Sequence, residues 1–450
     1  RGSELMSANP KDTAIKALEI SLKKGCQAAR ISFNIATQSS YSVRNDKLDR
    51  LQQSTGSSLY IHLYVDDRYG SFSTNRTEPE EIGNFIGKGV EATRLLSPDP
   101  FRVLPDKALY YSGGGADLEQ YDKSIDAIEP KEKSEMAFAC ASEVLGKDKR
   151  VITVNCEYGD ADDYLYVIDS QGFQNESRQS NFTISAECSV KDRGDARPEA
   201  WWYESSLFFK NLKIEGCGTK SLERALRRLN PKKLKSGKYN MVVENTTSSR
   251  LISPIISALN GASIQQNNSF LKGMLGRQIF SPNFTLFDNA HLVGAFGSRY
   301  FDGEGVATKP ANIIENGIVK TYFINTYHSK KLGLPVTADG PSVLNCLMSG
   351  TDSANAHRDL EYILTKCGKG IFVTGFNGGN SNSSSGDFSF GVEGFYFKDG
   401  RISHPIKEMN VTGNIITLWN NIIEIGTDPR NSSRWLIPTL AFESVDFNGT

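Results

Sequence analysis

Runs in which apolar and polar residues alternate, closed by tight-turn signals, constrain the fold of the last third of the chain most. One run, ANIIENGIVKTYFI, has its turn at Asn316-Gly317, and a second, GFYFKDGRISHPI, has its turn at Asp399-Gly400. A period of two residues puts successive side chains on opposite faces of a sheet. Asn-Gly and Asp-Gly supply the positive φ angles that two-residue hairpin turns require. We therefore predict two β-hairpins and a β-rich C-terminal region.

The first half of the chain mixes alternating runs with helical spacing. Apolar residues recur at helical spacing over residues 12–26, and acidic residues near the start and Arg94 near the end favour a helix over about 79–96. A third helix is predicted over residues 131–145. Alternating runs such as ARISFNIAT and SLYIHLYV predict strands between them. Further along, SRLISPIISALNG predicts one helix, weakened by Pro254 and ended by Gly261. The predicted fold class is α+β, with an N-terminal mixed helix/sheet region followed by a β-rich C-terminal domain with one early helix.

The stretch NPKKLKSGK, which follows a short basic helix pattern, marks the main predicted domain boundary. It separates an N-terminal α+β region, residues 1–230, from a C-terminal β-rich domain, residues 231–450. The N-terminal region can be divided into two lobes, 7–100 and 115–230. Residues 97–128 between them predict an irregular connection, because SPDPF, LPD and SGGGAD interrupt any regular pattern.

Charge and cysteine usage exclude several classes of function. The formal net charge is −1, which argues against direct binding of nucleic acid through a broad basic surface. The seven cysteines are an odd number without a C-x-x-C pair, which favours reduced thiols in a cytoplasmic protein. No apolar run approaches the length of a membrane span, and the start of the chain lacks the apolar segment of a signal peptide. We expect a cytoplasmic protein without membrane contact.

Local motifs give little evidence for a self-contained catalytic site. The zinc-peptidase signature H-E-x-x-H is absent, and no two of the five histidines lie within two helical turns of each other. The nucleophile elbow G-x-S-x-G and the phosphate loop are absent as well. The acidic run GDADD, residues 159–163, lacks the ligand spacing of a calcium loop and predicts a solvated turn.

The motif FDGEGV, residues 301–306, is a second acidic candidate. Asp302 and Glu304 flank Gly303 and are followed by Gly305, just ahead of the first predicted hairpin. Spacing alone favours a glycine-rich turn with solvated acids. The alternative is that both carboxylates contact the backbone groups of a substrate or partner.

Longer patterns resemble one family. FDGEGV followed by IIENGIVKTYFINTYHSKKLG resembles a motif string of the TldD/TldE (PmbA) family, once named modulators of DNA gyrase. The segments at residues 236–276 and 368–415 also resemble this family, and the second is similar to its TldE/PmbA C-terminal signature. The resemblance is strong over residues 236–415 and extends more weakly, in the order of elements, over the N-terminal half.

The resemblance implies which residues would and would not bind metal. TldD-type chains carry a helix with H-E-x-x-x-H and a later Cys that together bind zinc, and TldE-type chains lack these ligands. With the chains aligned on LNG, residues 259–261, the histidine positions fall on Ile252 and Ser257 and the glutamate position on Ser253. No Cys follows Cys367. The chain resembles the metal-free TldE/PmbA type, so we expect no catalytic residue, metal ligand or cofactor in it, and zinc in a TldD-type partner.

A Gly/Ser/Asn-rich tract, residues 375–391, lies between two predicted strands. An extended peptide binds along a sheet through backbone hydrogen bonds, and small residues leave that backbone accessible. The tract therefore predicts a loop that contacts a peptide or a partner, and the alternative is a long hairpin loop without a ligand. The candidate contact residues of the tract are Gly378, Gly379, Ser383, Ser384, Ser385, Gly386 and Asp387.

The function that the resemblance implies is that of a subunit in a cytoplasmic TldD/TldE-type metallopeptidase, which processes or degrades unfolded peptides. Its expected partners are a TldD-type subunit and a peptide substrate, in a homo- or hetero-oligomer. Two alternatives stay open. One is a non-enzymatic binding protein that modulates DNA gyrase or a toxin–antitoxin system, and the other is a stand-alone hydrolase with an unrecognised site.

Overall fold

A computed structural model describes residues 9–351 and 356–449 of the chain. It confirms the predicted α+β class, with helices and strands mixed in the first half and strands dominating the second. No helix among the described residues is long and apolar enough to cross a membrane. The seven cysteines form no disulfide, and six of them are buried.

One antiparallel sheet runs through the whole N-terminal region. Its six strands stand in the order β3-β2-β1-β4-β5-β6, so strands from residues 28–74 and from 151–206 pair side by side. The strands are β1 Ala28–Arg44, β2 Lys47–Val65, β3 Arg68–Thr74, β4 Val151–Asp169, β5 Gln174–Val190 and β6 Glu199–Ser206. The helices are α1 Pro10–Lys23, α2 Pro79–Arg94, α3 Pro130–Ser142 and α4 Cys217–Leu226.

The helices cover the apolar face of this sheet in two pairs. Helices α1 and α2 pack on β1 and β2, where Ile31, Leu59 and Leu63 are fully buried. Helices α3 and α4 pack on β4 and β5 and enclose a second apolar cluster around Tyr158 and Phe182. The alternation of apolar and polar residues in these strands therefore separates a core face from a second, more polar face.

The acidic run at residues 159–163 is not a solvated turn, so that prediction was wrong. It lies in the middle of β4, where Asp160 and Asp162 are each 8% exposed. Lys133 of α3 lies 2.9 Å from Asp160 Oδ2, and Arg178 of β5 lies 2.6 Å from Asp162 Oδ2. These cations offset the cost of burying the carboxylates. Local sequence could not predict this, because both cations come from other elements.

The predicted irregular connection joins the two halves of the molecule. Residues 95–129, between α2 and α3, contain only short 3-10 turns, at Lys107–Leu109 and Ile125–Ala127. Backbone hydrogen bonds link Tyr111 N to Gly305 O at 3.0 Å and Ala307 N to Leu109 O at 2.9 Å. The connection is therefore attached to the acidic turn of the C-terminal region.

The C-terminal region contains two sheets and several short helices. Its strands are β7 Gly237–Val243, β8 Phe284–Asp288, β9 Ala311–Glu315, β10 Ile318–Val319, β11 Leu344–Met348, β12 Gly370–Ser381, β13 Asp387–Lys398, β14 Arg401–Asn414, β15 Ile422–Ile425, β16 Trp435–Leu436 and β17 Leu440–Gly449. Its helices are α5 Ser253–Leu259, α6 Gly261–Gln265, α7 Thr326–Leu332, α8 Leu360–Cys367 and α9 Ile415–Asn420.

The larger of the two sheets closes on itself. Its order is β14-β13-β12-β7-β17-β15, and β14 also pairs with β17. Strands β12, β13, β14, β17 and β7 thus form a ring. The smaller sheet has the order β10-β9-β8-β11-β16. One core cluster joins both sheets to α5, α6 and α9, with Trp419 fully buried within it.

Both predicted hairpin turns are confirmed. Asn316 and Gly317 have φ angles of 50° and 78°, between β9 and β10. Asp399 and Gly400 have φ angles of 53° and 71°, between β13 and β14. Positive φ at both central residues is the geometry that two-residue turns of this kind require.

The predicted early helix is divided in two. A 3-10 turn at Ser248–Leu251 precedes α5, which carries Pro254 in its first turn, where proline is tolerated. Asn260 then adopts an extended conformation and caps α6 by accepting a hydrogen bond from Ala262 N at 2.9 Å. Gly261 therefore begins a second helix instead of ending the first.

Candidate functional site

The acidic turn at residues 301–306 is compact and internally hydrogen-bonded. Asp302 is only 2% exposed, so the expectation of a solvated acid is wrong for this residue. Its Oδ1 accepts from Glu304 N at 2.9 Å and from Val306 N at 3.1 Å, and its Oδ2 accepts from Asp339 N at 3.1 Å. Backbone amides thus replace water around the carboxylate.

The surroundings of Asp302 favour its protonated form. Burial is the main cause that raises the pKa of Asp302 to about 7, and the nearby carboxylates of Asp339 and Glu304 contribute to the same shift. Arg299 opposes the shift in part, although its Nη2 bonds Asp339 Oδ1 at 2.9 Å and not Asp302. The turn can therefore exchange a proton near neutral pH.

Glu304 of the same turn lines a cavity of about 350 Å³ between the N-terminal sheet and the C-terminal region. The N-terminal wall is the polar face of β1 and β2, whose opposite face packs on α1 and α2. Five side chains at alternate positions form this wall, namely Arg30, Ser32, Tyr60, His62 and Tyr64. The alternating pattern of these strands thus places core residues on one face and the residues of the cavity wall on the other.

Two arginines supply the positive charge of the cavity. Arg30 is 7% exposed, and its Nε and Nη1 atoms are buried without a hydrogen-bond partner. The guanidinium carbon of Arg102 lies 3.5 Å from the ring centre of Tyr327 and 4.8 Å from that of Tyr69. Cation–π contacts of this kind hold the side chain of Arg102 against the cavity.

The arginines also set the charge state of their neighbours. Burial lowers the pKa of His62 to about 3, and the positive charges of Arg30 and Arg102 add to the effect. His62 is therefore neutral, and its Nδ1 shares a hydrogen bond with the Tyr69 hydroxyl at 2.7 Å. Burial raises the pKa of Tyr64 to about 12, so this phenol stays protonated.

A larger cavity of about 560 Å³ lies beside α4 and strands β12 and β13, and within the described structure three of its four arginines are paired, Arg197 being the exception. Arg224 Nη2 is 2.7 Å from Glu244 Oε1, and Arg228 Nε is 3.4 Å from Glu393 Oε1. The half-buried arginines of this cavity thus already have carboxylate partners, and Arg197 is exposed to water. The cavity beside Glu304 differs because Arg30 has none.

The positions that the resemblance aligns with zinc ligands carry no metal-binding groups. Ile252 is fully buried in the apolar core next to α5, whereas Ser253 and Ser257 are exposed on that helix. Aliphatic and hydroxyl side chains do not supply the imidazole, thiolate or carboxylate donors that zinc prefers. Within residues 9–351 and 356–449, no group of three or more His, Cys, Asp or Glu could hold a metal ion.

The serine-rich loop between β12 and β13 packs on the segment that follows α6. Ser383 O accepts a hydrogen bond from Phe270 N at 3.1 Å, and Ser383 Oγ bonds Asn268 Oδ1 at 3.1 Å. Ser384 Oγ bonds the same Asn268 oxygen. Asp387 Oδ1 accepts from Asn414 Nδ2 at 3.0 Å. The loop is thus held in one conformation while Ser384 and Ser385 remain exposed.

At two positions of the tract, neighbouring atoms leave little or no room for a side chain. A Cβ atom at Gly379, where φ is +75°, would lie 1.9 Å from Ser389 O across the β12–β13 pair. Gly386, with φ of +80°, packs against the ring of Phe270. Gly378 faces open space. Among the candidate contact residues of the tract, Gly378, Gly379, Ser384, Ser385 and Asp387 are exposed, whereas Ser383 is half-buried and Gly386 is buried.

The candidate residues fall into two groups. Asp302 and Glu304 belong to one turn beside the cavity. Ser383 to Gly386 belong to the serine-rich loop, but Gly378 and Gly379 lie in β12 and Asp387 begins β13, so the loop is shorter than predicted because the strands pair further along the tract. In the described part of the chain, no hydrogen bond connects the two groups. Sequence reasoning missed Arg30 and Arg102. The one usable signal was Arg30, a charged residue at a polar position of the alternating run ARISFNIAT.

Three family models for the PmbA/TldA metallopeptidase match the chain. Domain 1 matches residues 29–93, the central domain matches residues 123–229, and the C-terminal domain matches residues 236–449. Together the three matches span most of the described structure. Metalloprotease PmbA of Escherichia coli O157:H7 is 27% identical over 416 residues, which cover 92% of this chain and 90% of that protein.

Solved structures share the fold over the full length. A Bacteroides thetaiotaomicron protein described as a candidate modulator of DNA gyrase is 47% identical, with a TM-score of 0.94 and coverage of 99% of this chain and 100% of that one. TldE from Thermococcus kodakarensis is 20% identical, with a TM-score of 0.84 and coverage of 97% and 100%, and shows the same fold. The chain therefore belongs to the PmbA/TldD family, a family named for metallopeptidase activity.

Proposed function

We propose that this chain is the TldE/PmbA-type subunit of a TldD/TldE-type metallopeptidase, without a zinc site of its own. The single observation that carries the proposal is the chemistry at Ile252, Ser253 and Ser257. Zinc peptidases need nitrogen, sulfur or carboxylate ligands and a carboxylate that moves a proton from the attacking water. A core isoleucine and two exposed serines supply none of these groups.

A TldD-type partner would then supply the metal, and this chain would supply binding surface. Curated relatives include a TldD homolog from Buchnera aphidicola, 24% identical over 331 residues, so the two kinds of chain share ancestry. The exposed serines of the loop between β12 and β13 are our candidates for contact with the partner or with a peptide. Seven thiols without a disulfide support a reducing compartment, so we propose that the complex works in the cytoplasm.

The decisive experiment compares the chain alone with the chain co-expressed with a TldD-type partner. We expect the isolated chain to contain no stoichiometric zinc by elemental analysis and to cleave no unfolded peptide. The co-purified complex should cleave peptides, and a chelator should abolish that cleavage. As a matched control, the partner carries Gln in place of the Glu of its H-E-x-x-x-H helix, which should leave the complex intact but inactive.

Three results would contradict the proposal. The first is about one zinc per isolated chain after mild chelation. The second is chelator-sensitive cleavage by the isolated chain, free of contaminating protease, which would indicate a stand-alone hydrolase. The third is capture of DNA gyrase instead of a TldD-type chain in a pull-down, which would favour the binding-protein alternative.

A further inference from the structure

The cavity beside Glu304 has a charge pattern that the proposed peptidase role does not use. Arg30 is buried there with Nε and Nη1 unpaired. A buried guanidinium without a partner is costly, so folded proteins rarely keep one unless something else pairs with it. The planar guanidinium fork matches a carboxylate, which makes Arg30 the marker of an anion position.

A second guanidinium lies in the same cavity. Arg102, from the connection between α2 and α3, is held between the rings of Tyr69 and Tyr327. Stacking leaves the edge of a guanidinium free to donate hydrogen bonds. The cavity thus presents two guanidinium groups from separate elements to one small volume.

Carboxylates stand on the C-terminal wall of the cavity. Both hydrogen bonds that Glu304 accepts from Thr326 go to Oε2, at 3.1 Å from N and 3.0 Å from Oγ1. Asp339, also in the lining, is paired with Arg299. None of the ion pairs within 4 Å in the described residues joins Arg30 or Arg102 to these carboxylates. Opposite charges therefore face the same cavity without neutralising each other.

We propose that this cavity binds a small zwitterion, a free α-amino acid or a short peptide, through both of its charged ends. The α-carboxylate lies on Arg30 and Arg102, and the ammonium points toward Glu304. Two cations and two carboxylates in the lining match a zwitterion better than an anion such as phosphate, which Glu304 and Asp339 would repel. A volume of about 350 Å³ is at the lower end of small-molecule sites.

The binding test uses the purified chain, so its outcome does not depend on a TldD-type partner. Calorimetric titration and thermal melts are run with alanyl-alanine, its N-acetyl form, its C-terminal amide and inorganic phosphate. Free alanyl-alanine should bind and raise the thermal midpoint. Each capped form should bind about tenfold more weakly or worse, because one charge-assisted contact is lost. Amide or phosphate binding as tight as that of the free dipeptide would overturn the proposal.

The variant test separates a ligand-binding arginine from a structural one. Arg30→Met should weaken dipeptide binding by about tenfold or more while leaving the thermal midpoint of the ligand-free chain unchanged or higher, because an unpaired buried charge is removed. Arg44→Met, at the exposed end of the same strand, is the matched control and should change neither. Undiminished dipeptide binding by Arg30→Met would overturn the proposal.

A second variant keeps the test decisive if Arg30→Met does not fold. Glu304→Gln keeps an oxygen that can accept from Thr326 but removes the negative charge. It should weaken binding of free alanyl-alanine and leave the weaker binding of the N-acetyl form unchanged. Equal loss for both ligands, or no loss for either, would show that Glu304 does not recognise an ammonium group and would overturn the assignment.

Discussion

Among single residues, two buried aspartates are neutralised in different ways. Asp160 has Lys133 at 2.9 Å and accepts a hydrogen bond from the Tyr158 hydroxyl at 2.8 Å. Asp302 has two carboxylates as neighbours and no ion pair with any described residue, and burial and these charges raise its pKa to about 7, so a proton neutralises it as pH falls below that value. The first arrangement makes stability depend on a partner residue, and the second makes it depend on pH.

The first prediction concerns Asp302 and pH. The pKa of Asp302 is about 7 in the folded chain and lies near the usual value in the unfolded chain, so the native state binds more protons between these values. Its contribution to stability is therefore complete below about pH 4 and is lost as pH rises through about pH 7, with a slope of at most about 1.4 kcal/mol per pH unit.

Urea unfolding at several pH values between about 4 and 8 measures this effect. Asp302→Asn should remove the corresponding part of the slope, because an amide does not titrate. Asp46→Asn, which changes an exposed aspartate in the β1–β2 turn, should keep the parent slope. If the free energy of unfolding changes with pH by the same amount in the parent and in Asp302→Asn, the pKa of Asp302 is not raised in the folded chain.

The second prediction concerns the pair in the middle of β4. Lys133→Met would leave Asp160 buried without its cation, so we expect a loss of about 3–5 kcal/mol in the free energy of unfolding. Lys131→Met, on the exposed face of the same helix, removes only a surface pair with Glu135 and should cost less than about 1 kcal/mol. Similar losses of unfolding free energy for the two variants would mean that the buried pair stabilises the chain no more than the surface pair does.

At the scale of elements, tight turns and close strand contacts explain where glycine is needed. Gly317 and Gly400 both have positive φ, but their surroundings differ. A Cβ at Gly317 would lie 2.1 Å from Phe280 O, whereas one at Gly400 would lie 3.0 Å from Thr365 Cα. Gly333, which ends α7 with φ of +66°, has open space around it. A side chain at any of the three positions would carry the strain of a positive φ angle, and the positions differ in how closely an added Cβ atom would approach neighbouring atoms.

The third prediction ranks these three glycines. Gly333→Ala carries only the strain of positive φ, about 1 kcal/mol or slightly more. Gly400→Ala should cost roughly 1–3 kcal/mol, since Thr365 must also shift. Gly317→Ala should cost more than either, because its Cβ would lie 2.1 Å from Phe280 O, much closer than the 3.0 Å to Thr365 Cα at Gly400. Thermal or urea unfolding of the three variants tests this order. An equal loss of unfolding free energy at all three positions would show that the close approach to Phe280 O does not destabilise Gly317→Ala.

At the scale of the whole molecule, contacts between distant segments create both candidate surfaces. The cavity forms where the polar face of β1 and β2 meets the connection and the acidic turn. The serine-rich loop is fixed by Asn268 and Phe270, more than a hundred residues earlier in the chain. The role of the serine-rich loop can be tested by measuring assembly with a partner.

The fourth prediction is that bulk at Ser384 weakens assembly with a TldD-type partner. Ser384→Trp places a large side chain on an exposed position and should leave the thermal midpoint near that of the parent. Co-purification and peptide cleavage should fall if the loop is a contact surface. Gly379→Trp is unsuitable for this purpose, because its Cβ would collide with Ser389 O.

The matched control for the loop is Ser73→Trp, an exposed serine on the edge strand β3. It should leave both stability and assembly unchanged. If Ser384→Trp assembles and cleaves as well as this control, the tract is only a hairpin loop without a ligand, as the alternative holds.

Much of the fold could be predicted from local pattern, and little of the candidate site could. The alternation in ARISFNIAT and SLYIHLYV predicted β1 and β2 correctly, because side chains of a strand must face opposite sides. The same pattern did not reveal that its polar face lines a cavity. The run GDADD was misassigned because its charge is offset by Lys133 and Arg178, which lie in other elements.

The turns at Asn316-Gly317 and Asp399-Gly400 and the α+β class follow from local sequence alone, because backbone sterics and side-chain periodicity act within a few residues. Which charged groups are buried, and with which partners, depends on how distant segments pack together. Ser39 meets Asp160 across 121 residues of chain, and Lys133 meets Ser39 across 94. The unpaired state of Arg30 and the raised pKa of Asp302 depend on the tertiary surroundings, since desolvation and charge act through space and not along the chain.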